Sequence, residues 1–419
     1  MTRLLNVLAT VGVLVGFSGS KTLSASHPRF KHVFVIVLEN EGFDTTFGPN
    51  SKAPYLAKTL TKQGVLLSQY YGTGHFSLDN YIAMISGQAA TPQTDNDCQT
   101  YADFALTGIT PDGQAVGHGC VYPAEIKTIA DQLSAIGKTW RAYMGDMGND
   151  PARESAVCGH PVLNTVDHTQ AAEPPSASVP LGDQYASRHN PFVYFHSIID
   201  SAECSHVVNL NQLATDLQSE WTTPDFVFIT PNLCDDGHDG TSETAPCVNG
   251  QPGGLVGIDR FLRKWVPIIQ ASAAYRNDGL IVINFDEGGP TSVVQNGTDL
   301  TITEQGQYCC SEQPGPNLGP FPQVTVFHTG TGTITIAVND YGGDRTGAVL
   351  LSPLVKGGTV SNTPFNHYSL LKTLEDIFDT DRYLGYAGQP GLLSFFGCVS
   401  SDIHIGDDRD SDGCGNRRD

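Results

Sequence analysis

The stretch GLIVINFDEGG, residues 279–289, runs Leu280, Ile281, Val282, Ile283 and Phe285 almost unbroken into two adjacent carboxylates and two glycines. Its apolar part fits a strand buried on both faces, as in a parallel sheet. Asp286 and Glu287 then stand at the carboxyl end, where open α/β sheets place their sites. Two neighbouring acids repel unless they hold a cation or share a proton. From this stretch alone, either holds.

The pattern recurs. HVFVIVL (32–38) ends on Glu39 and Asn40, and DFVFITP (225–231) runs into NLCDDGHDG. Helical patterns lie between: APYLAKTLTKQG (53–64), EIKTIADQLSAIG (125–137) and VNLNQLATDLQSEW (208–221), the first two closed by glycine. Alternating strands and helices predict an α/β fold, a mainly parallel central sheet with helices on both faces. Residues 91–123, 144–190 and 288–322 are rich in Gly, Pro, Asp and Cys and read as long disulfide-stapled loops. TVFHTGTGTITIAVNDY alternates like an exposed antiparallel hairpin, and AVLLSPLV (348–355) returns to the buried type. No internal repeat is visible.

The chain has 419 residues. Residues 1–25, with Arg3, an apolar run to Phe17 and small polar residues up to Ala25, read as a secretory signal peptide. Residues 26–398 then form the catalytic domain and 399–419 an acidic tail. No later segment reaches the roughly 18 apolar residues of a spanning helix, so the processed chain is expected to be exported without a membrane segment. Ten cysteines without a CxxC pair favour disulfides over a zinc–thiolate site. Their connectivity is not legible. A net charge of −21 disfavours nucleic acid as a partner. An acidic protein that binds an anion needs a strong local positive charge, which a metal ion supplies. In the tail, Asp408, Asp410, Asp412 and Gly413 have the spacing of a calcium loop, although no flanking helices are evident.

Three further stretches carry candidate chemistry. HFSLDNYIAMISG (75–87) puts Leu78, Tyr81, Ile82 and Ile85 on one helical face. Ser77 falls at the amino end, where it is either a helix cap or a nucleophile aided by the helix dipole. Asn80, one turn on, is placed to bond a phosphoryl oxygen. CDDGHDG (234–240) gathers Asp235, Asp236, His238 and Asp239, either an Asx-rich turn or a cation or phosphate site. FNHYSLLKTLEDIFD (365–379) sets His367 before an amphipathic helix, where neutral imidazole is favoured.

Together VIVLENEGFDTTFG, SLDNYIAMISG, TPNLCDDGHDG, IVINFDEGG and NHYSLLKTLEDIF resemble, in order, the five blocks of the bacterial, fungal and plant phosphoesterase family, which holds acid phosphatases and phosphatidylcholine-type phospholipases C within the alkaline phosphatase-like superfamily. The resemblance covers residues 32 to about 380 and implies roles. Glu39, Asn40, Asp286 and Glu287 match metal ligands, so the paired acids are expected to hold a cation. Ser77 matches the nucleophile and Asn80 a phosphate-binding amide. Asp235, His238 and His367 match the polar wall, with His238 as proton donor to the leaving group; His75 is placed to contact phosphate. Glu41 departs from the family pattern, which usually has a basic or hydroxyl residue there.

The expected reaction is in-line attack of Ser77 on a phosphomonoester, giving a phosphoserine that water cleaves. One or more divalent ions, Mg²⁺, Ca²⁺, Mn²⁺ or Zn²⁺, would offset the charge at phosphorus. The polar loops favour small monoesters over a phospholipid headgroup, which a phospholipase C-type diesterase would take. The alternative from another class is an exported calcium-binding surface protein without turnover.

Overall fold

A computed structural model describes residues 30–242, 245–396 and 403. The expected leader, and the expected calcium loop at Asp408 to Gly413, lie outside the described residues. Eight strands form the central sheet in the order Thr359–Ser361, Val65–Leu67, Ala348–Leu351, Gly279–Phe285, His32–Leu38, Phe226–Thr230, Trp140–Met144 and Val207–Asn209. The last five run parallel to one another. Ala348–Leu351 runs against both its neighbours, so the sheet is mainly, not wholly, parallel.

Strand alternation splits each central strand between two cores. Val33, Val35, Val37, Leu280 and Val282 pack with the helices Ser77–Ser86, Ile129–Ala135 and His367–Phe378. Phe34, Ile36, Leu38, Ile281, Ile283 and Phe285 pack on the other face with the helix Gly254–Ala271 and with Leu56 and Leu60. The expected architecture of a sheet covered on both faces is therefore present.

Three local expectations fail. Residues 208–221 do not form one helix: Val207–Asn209 is an edge strand bonded to Trp140–Met144, and only short helical turns follow. Backbone pairing at the sheet edge overrides the helical periodicity there. The 288–322 segment is not all loop, since Ser292–Asn296 and Asp299–Glu304 form a hairpin around Gly297. It joins the hairpin Gln323–His328 and Thr333–Val338, which was expected, in a four-stranded sheet. The 18-residue helix Gly254–Ala271 had no counterpart in the sequence reading. Pro267 inside it and the glycines at its start mask a strongly amphipathic pattern. Gly257 is there for contact: a Cβ would lie 2.1 Å from the Cys234 carbonyl oxygen.

Disulfides join Cys98 to Cys120, Cys158 to Cys204, Cys234 to Cys247 and Cys309 to Cys310. The first and third each close a loop within one irregular segment, and the second joins two such segments, as expected of stapled loops.

Candidate active site

Register brings the first carboxylates together. His32–Leu38 and Gly279–Phe285 pair over their whole length, from His32 opposite Gly279 to Leu38 opposite Phe285. Glu39 and Asp286 therefore leave the sheet side by side. Asn40 adopts φ 49° and donates its backbone N–H to Asp286 Oδ1 at 3.0 Å.

Ser77 is the first residue of its helix, and its hydroxyl caps nothing. It donates instead to Glu39 Oε2 at 2.8 Å, while the Tyr81 hydroxyl, one turn along, donates to Glu39 Oε1. Phe76, just before Ser77, sits at φ 77° and ψ 144°, a region that side chains avoid at about 1–3 kcal/mol. Strain of that kind points to a loop held for a purpose. The loop is held from below by Asn80, which accepts from the Thr73 N–H at 2.7 Å and donates to the Gly74 and Phe76 carbonyls at 2.8 and 3.0 Å. The amide expected to bind phosphate is thus engaged here by the backbone of residues 73–76.

The helix end is also partly occupied. Asp97 accepts from the Leu78 N–H at 3.0 Å, and Arg188 Nε stands 3.7 Å from the same carboxylate.

His189, which the sequence did not flag, and Asp236, one of the four polar residues of CDDGHDG, complete the cluster. His189 is buried, stacks on Tyr81 at 5.4 Å, places Nδ1 3.1 Å from Asp236 Oδ2 and turns Nε2 toward Glu39 Oε2 at 3.4 Å. Burial, helped by Arg188 and His238, pushes its pKa well down and keeps the ring neutral. With Nδ1–H on Asp236, the Nε2 lone pair faces the cluster, and that nitrogen has no hydrogen-bond partner. His189 lies in RHNP within an aperiodic stretch, so only a buried histidine between polar neighbours could have flagged it. Asp236, not Asp235, is the inward carboxylate: Asp235 turns out to a half-exposed pair with Arg260. Asp235, expected to bind substrate, thus lies outside the buried cluster.

His238 lies at the outer edge, its ring 5.7 Å from His189. Its Nδ1 is 2.8 Å from Asp239 Oδ1 and its Nε2 is 3.1 Å from Arg188 Nη2. Arginine can only donate, so Nε2 is the acceptor in this arrangement. His367 is fully buried behind Asp286. Its Nε2 donates to the Asp286 carbonyl at 2.5 Å and its Nδ1 accepts from Tyr70 at 2.9 Å. Burial lowers its pKa to about 4. With both nitrogens engaged, His367, expected to be catalytic, holds the Asp286 backbone from behind the cluster. Glu287 accepts from Asn40 Nδ2 at 2.6 Å and meets His75 Nδ1 at 2.5 Å. His75 is therefore buried behind Glu287, out of the phosphate contact expected of it.

Glu39, Asp236 and Asp286 are each 0% exposed. Burial raises the pKa of all three, and Asp286 and Asp236 push Glu39 further. Asp286 Oδ2 is buried without a partner. Three buried acids, a neutral imidazole and a hydroxyl, with two orphaned ligand atoms, are a donor set that fits a divalent cation.

A model described as Phosphoesterase family matches residues 49–381. A probable acid phosphatase of Kluyveromyces lactis is 24% identical over 264 residues, covering 62% of this chain and 48% of the relative. The phosphate-repressible acid phosphatase of Penicillium chrysogenum is 29% identical over 62% of this chain and 48% of its own length. The chain thus spans about half the length of these curated relatives. A phosphatidylinositol-3-phosphatase of Mycobacterium tuberculosis is 24% identical, with 70% of this chain and 78% of the relative aligned. Among solved structures, a Vibrio parahaemolyticus protein in the alkaline phosphatase superfamily aligns over 87% of this chain and 70% of its own, at TM-score 0.46 and 13% identity.

Proposed function

This chain belongs to the Phosphoesterase family, and from that premise we propose that it is an exported, metal-dependent phosphoric ester hydrolase that cleaves phosphomonoesters through Ser77. The observation that carries the reading is the Ser77 hydroxyl on Glu39 Oε2 at 2.8 Å, beside the orphaned Asp286 Oδ2.

Glu39 takes the Ser77 proton at Oε2 as the serine oxygen bonds to phosphorus and the bond to the departing alcohol breaks. Buried Arg188 and the partly exposed His238 receive the phosphoryl oxygens. Once Arg188 has turned to the phosphate, His238 Nε2 takes a proton from solvent and gives it to the departing alcohol. Water then attacks phosphorus and gives its proton to His238 Nε2, while the serine oxygen leaves and recovers its proton from Glu39. Glu39, Asp236, Asp286, His189 and Ser77 would hold the cation, which when bound offsets charge at phosphorus and favours the serine alkoxide. Tyr81 and Asn40 hold Glu39 and Asp286 in place.

Names of relatives support the monoester reading: acid phosphatases on one side, a phosphatidylinositol-3-phosphatase on the other. A second reading, cleavage of a phospholipid headgroup, has its own observation in exposed Val162, Val166 and Leu181 on the 144–190 segment. Four disulfides among the described residues support an oxidising compartment, and no helix there is long and apolar enough to cross a membrane.

The test is hydrolysis of p-nitrophenyl phosphate against p-nitrophenyl phosphorylcholine by the full chain and Ser77→Ala, with and without chelator. Expected is monoester turnover that falls at least about 10³-fold in the variant and is lost to chelator. Preference for the choline diester would move the substrate to phospholipid headgroups. No turnover of either by the metal-loaded chain would leave the calcium-binding surface protein.

A further inference from the structure

A second buried cluster lies behind the first. His75 comes from the loop before the Ser77 helix, Glu304 ends the strand Asp299–Glu304, and Asp344 follows the four-stranded sheet. One ligand atom from each lies within 4.8 Å of the others. We propose that His75, Glu304 and Asp344 form a second divalent-cation site, of the class that accepts imidazole and carboxylate together, Mn²⁺ or Zn²⁺.

Glu304 is 8% exposed, and its Oε2 is buried with no hydrogen-bond partner. A buried carboxylate oxygen left unpaired is costly unless a cation meets it. His75 Nε2 and Asp344 Oδ2 stand 3.2 Å apart. Two ligands about 2.1 Å from one ion, at about 100°, have that same separation. On the far side, His75 Nδ1 meets Glu287 Oε2 at 2.5 Å. A ligand histidine ordinarily gives its other N–H to a carboxylate, which settles the tautomer and aims the lone pair at the ion. Asp344 is held by the Gln307 N–H at 2.6 Å, and residues 305–308 line a cavity of about 350 Å³.

Charge points the same way. Glu287, Glu304 and Asp344 surround a single imidazole, and among the described residues no lysine or arginine pairs with them. One imidazole cannot pair three carboxyl groups, whereas a divalent ion beside it would give the remaining oxygens a partner. The same ion would tie the inserted four-stranded sheet to the catalytic loop. Glu287, bonded to His75 on one oxygen and Asn40 on the other, links the two sites.

The test is the number of metal equivalents retained by the full chain after stripping and dialysis against Mn²⁺ or Zn²⁺, counted by elemental analysis. Glu304→Gln is expected to lower the count by one, with near-UV circular dichroism confirming its fold. Asp344→Asn, if Glu304→Gln fails to fold, is expected to do the same. The unaltered chain needs no variant to fold, and at least two equivalents are expected of it. Asp286→Asn separates the sites: an equivalent that survives it and disappears with Glu304→Gln supports this site even if the Ser77 site holds none. A count unchanged by both Glu304→Gln and Asp344→Asn overturns the proposal, as does a single equivalent in the unaltered chain that Asp286→Asn removes.

Discussion

At the scale of single residues, the proposed reaction gives Glu39 two tasks that compete. It receives the Ser77 and Tyr81 hydroxyls on separate oxygens, and it faces His189 Nε2. Replacing it by Gln keeps the shape but removes the charge that a cation and a serine proton both need. His238 is the residue whose role depends on a partner's movement. In His238→Gln, p-nitrophenyl phosphate turnover is expected to fall about 10²–10⁴-fold, and less for a substrate with a better leaving group. Equal losses on good and poor leaving groups would remove His238 from proton transfer. That the carboxylates at 39 and 286 meet the serine at 77 was legible because each ends a buried strand or starts an apolar helix. His189 and Asp236 were not. His189 lies in a stretch without periodicity, and the choice between Asp235 and Asp236 depends on a turn whose direction only the Arg260 pair reveals.

At the scale of elements, the loop 73–76 and the helix behind it form one device. Asn80 ties the loop to the helix by bonds to Thr73, Gly74 and Phe76, and so keeps Phe76 in its strained conformation and Ser77 under Glu39. Asn80→Ala leaves the Thr73 N–H buried and unpaired. Stability is expected to fall by about 1–3 kcal/mol in denaturant melts, with kcat reduced and KM nearly unchanged. A raised KM with unaltered stability would instead return Asn80 to phosphate binding. Element by element, the strands that run into acids were readable from apolar runs alone. The edge strand Val207–Asn209 and the hairpin at 292–304 were not, because each is made by pairing with distant chain and not by local pattern.

At the scale of the whole molecule, a net charge of −21 is joined to unusual internal acidity. Burial raises the pKa of Asp95 to about 7, of Glu154 and Glu375 to about 8, and of Asp146 to about 6. Each carboxyl holds its proton in the folded chain above the pH at which the unfolded chain, at about 4, has released it. The folded state therefore binds more protons across this window, and stability falls as pH rises from about 4 to 8. Glu375 isolates the effect: it is 1% exposed, accepts one backbone bond from Leu384 at 2.8 Å, and leaves Oε2 unpaired. Scanning calorimetry on Glu375→Gln is expected to show a Tm raised by about 1–3 °C at pH 8 and nearly unchanged at pH 5. Parallel pH slopes in the two proteins would contradict that. The sheet and its two covered faces were legible at this scale, while the balance of buried charge was not, since burial of an acid leaves no local trace in sequence.

The most direct measurement is to quench turnover of p-nitrophenyl phosphate rapidly in acid, digest the chain, and locate the phosphoryl group by mass spectrometry. Phosphate on Ser77, absent from the unreacted chain and from Ser77→Ala, is the expected result. A turning-over enzyme that carries no phosphoryl group, or carries it on another residue, would contradict Ser77 as the nucleophile.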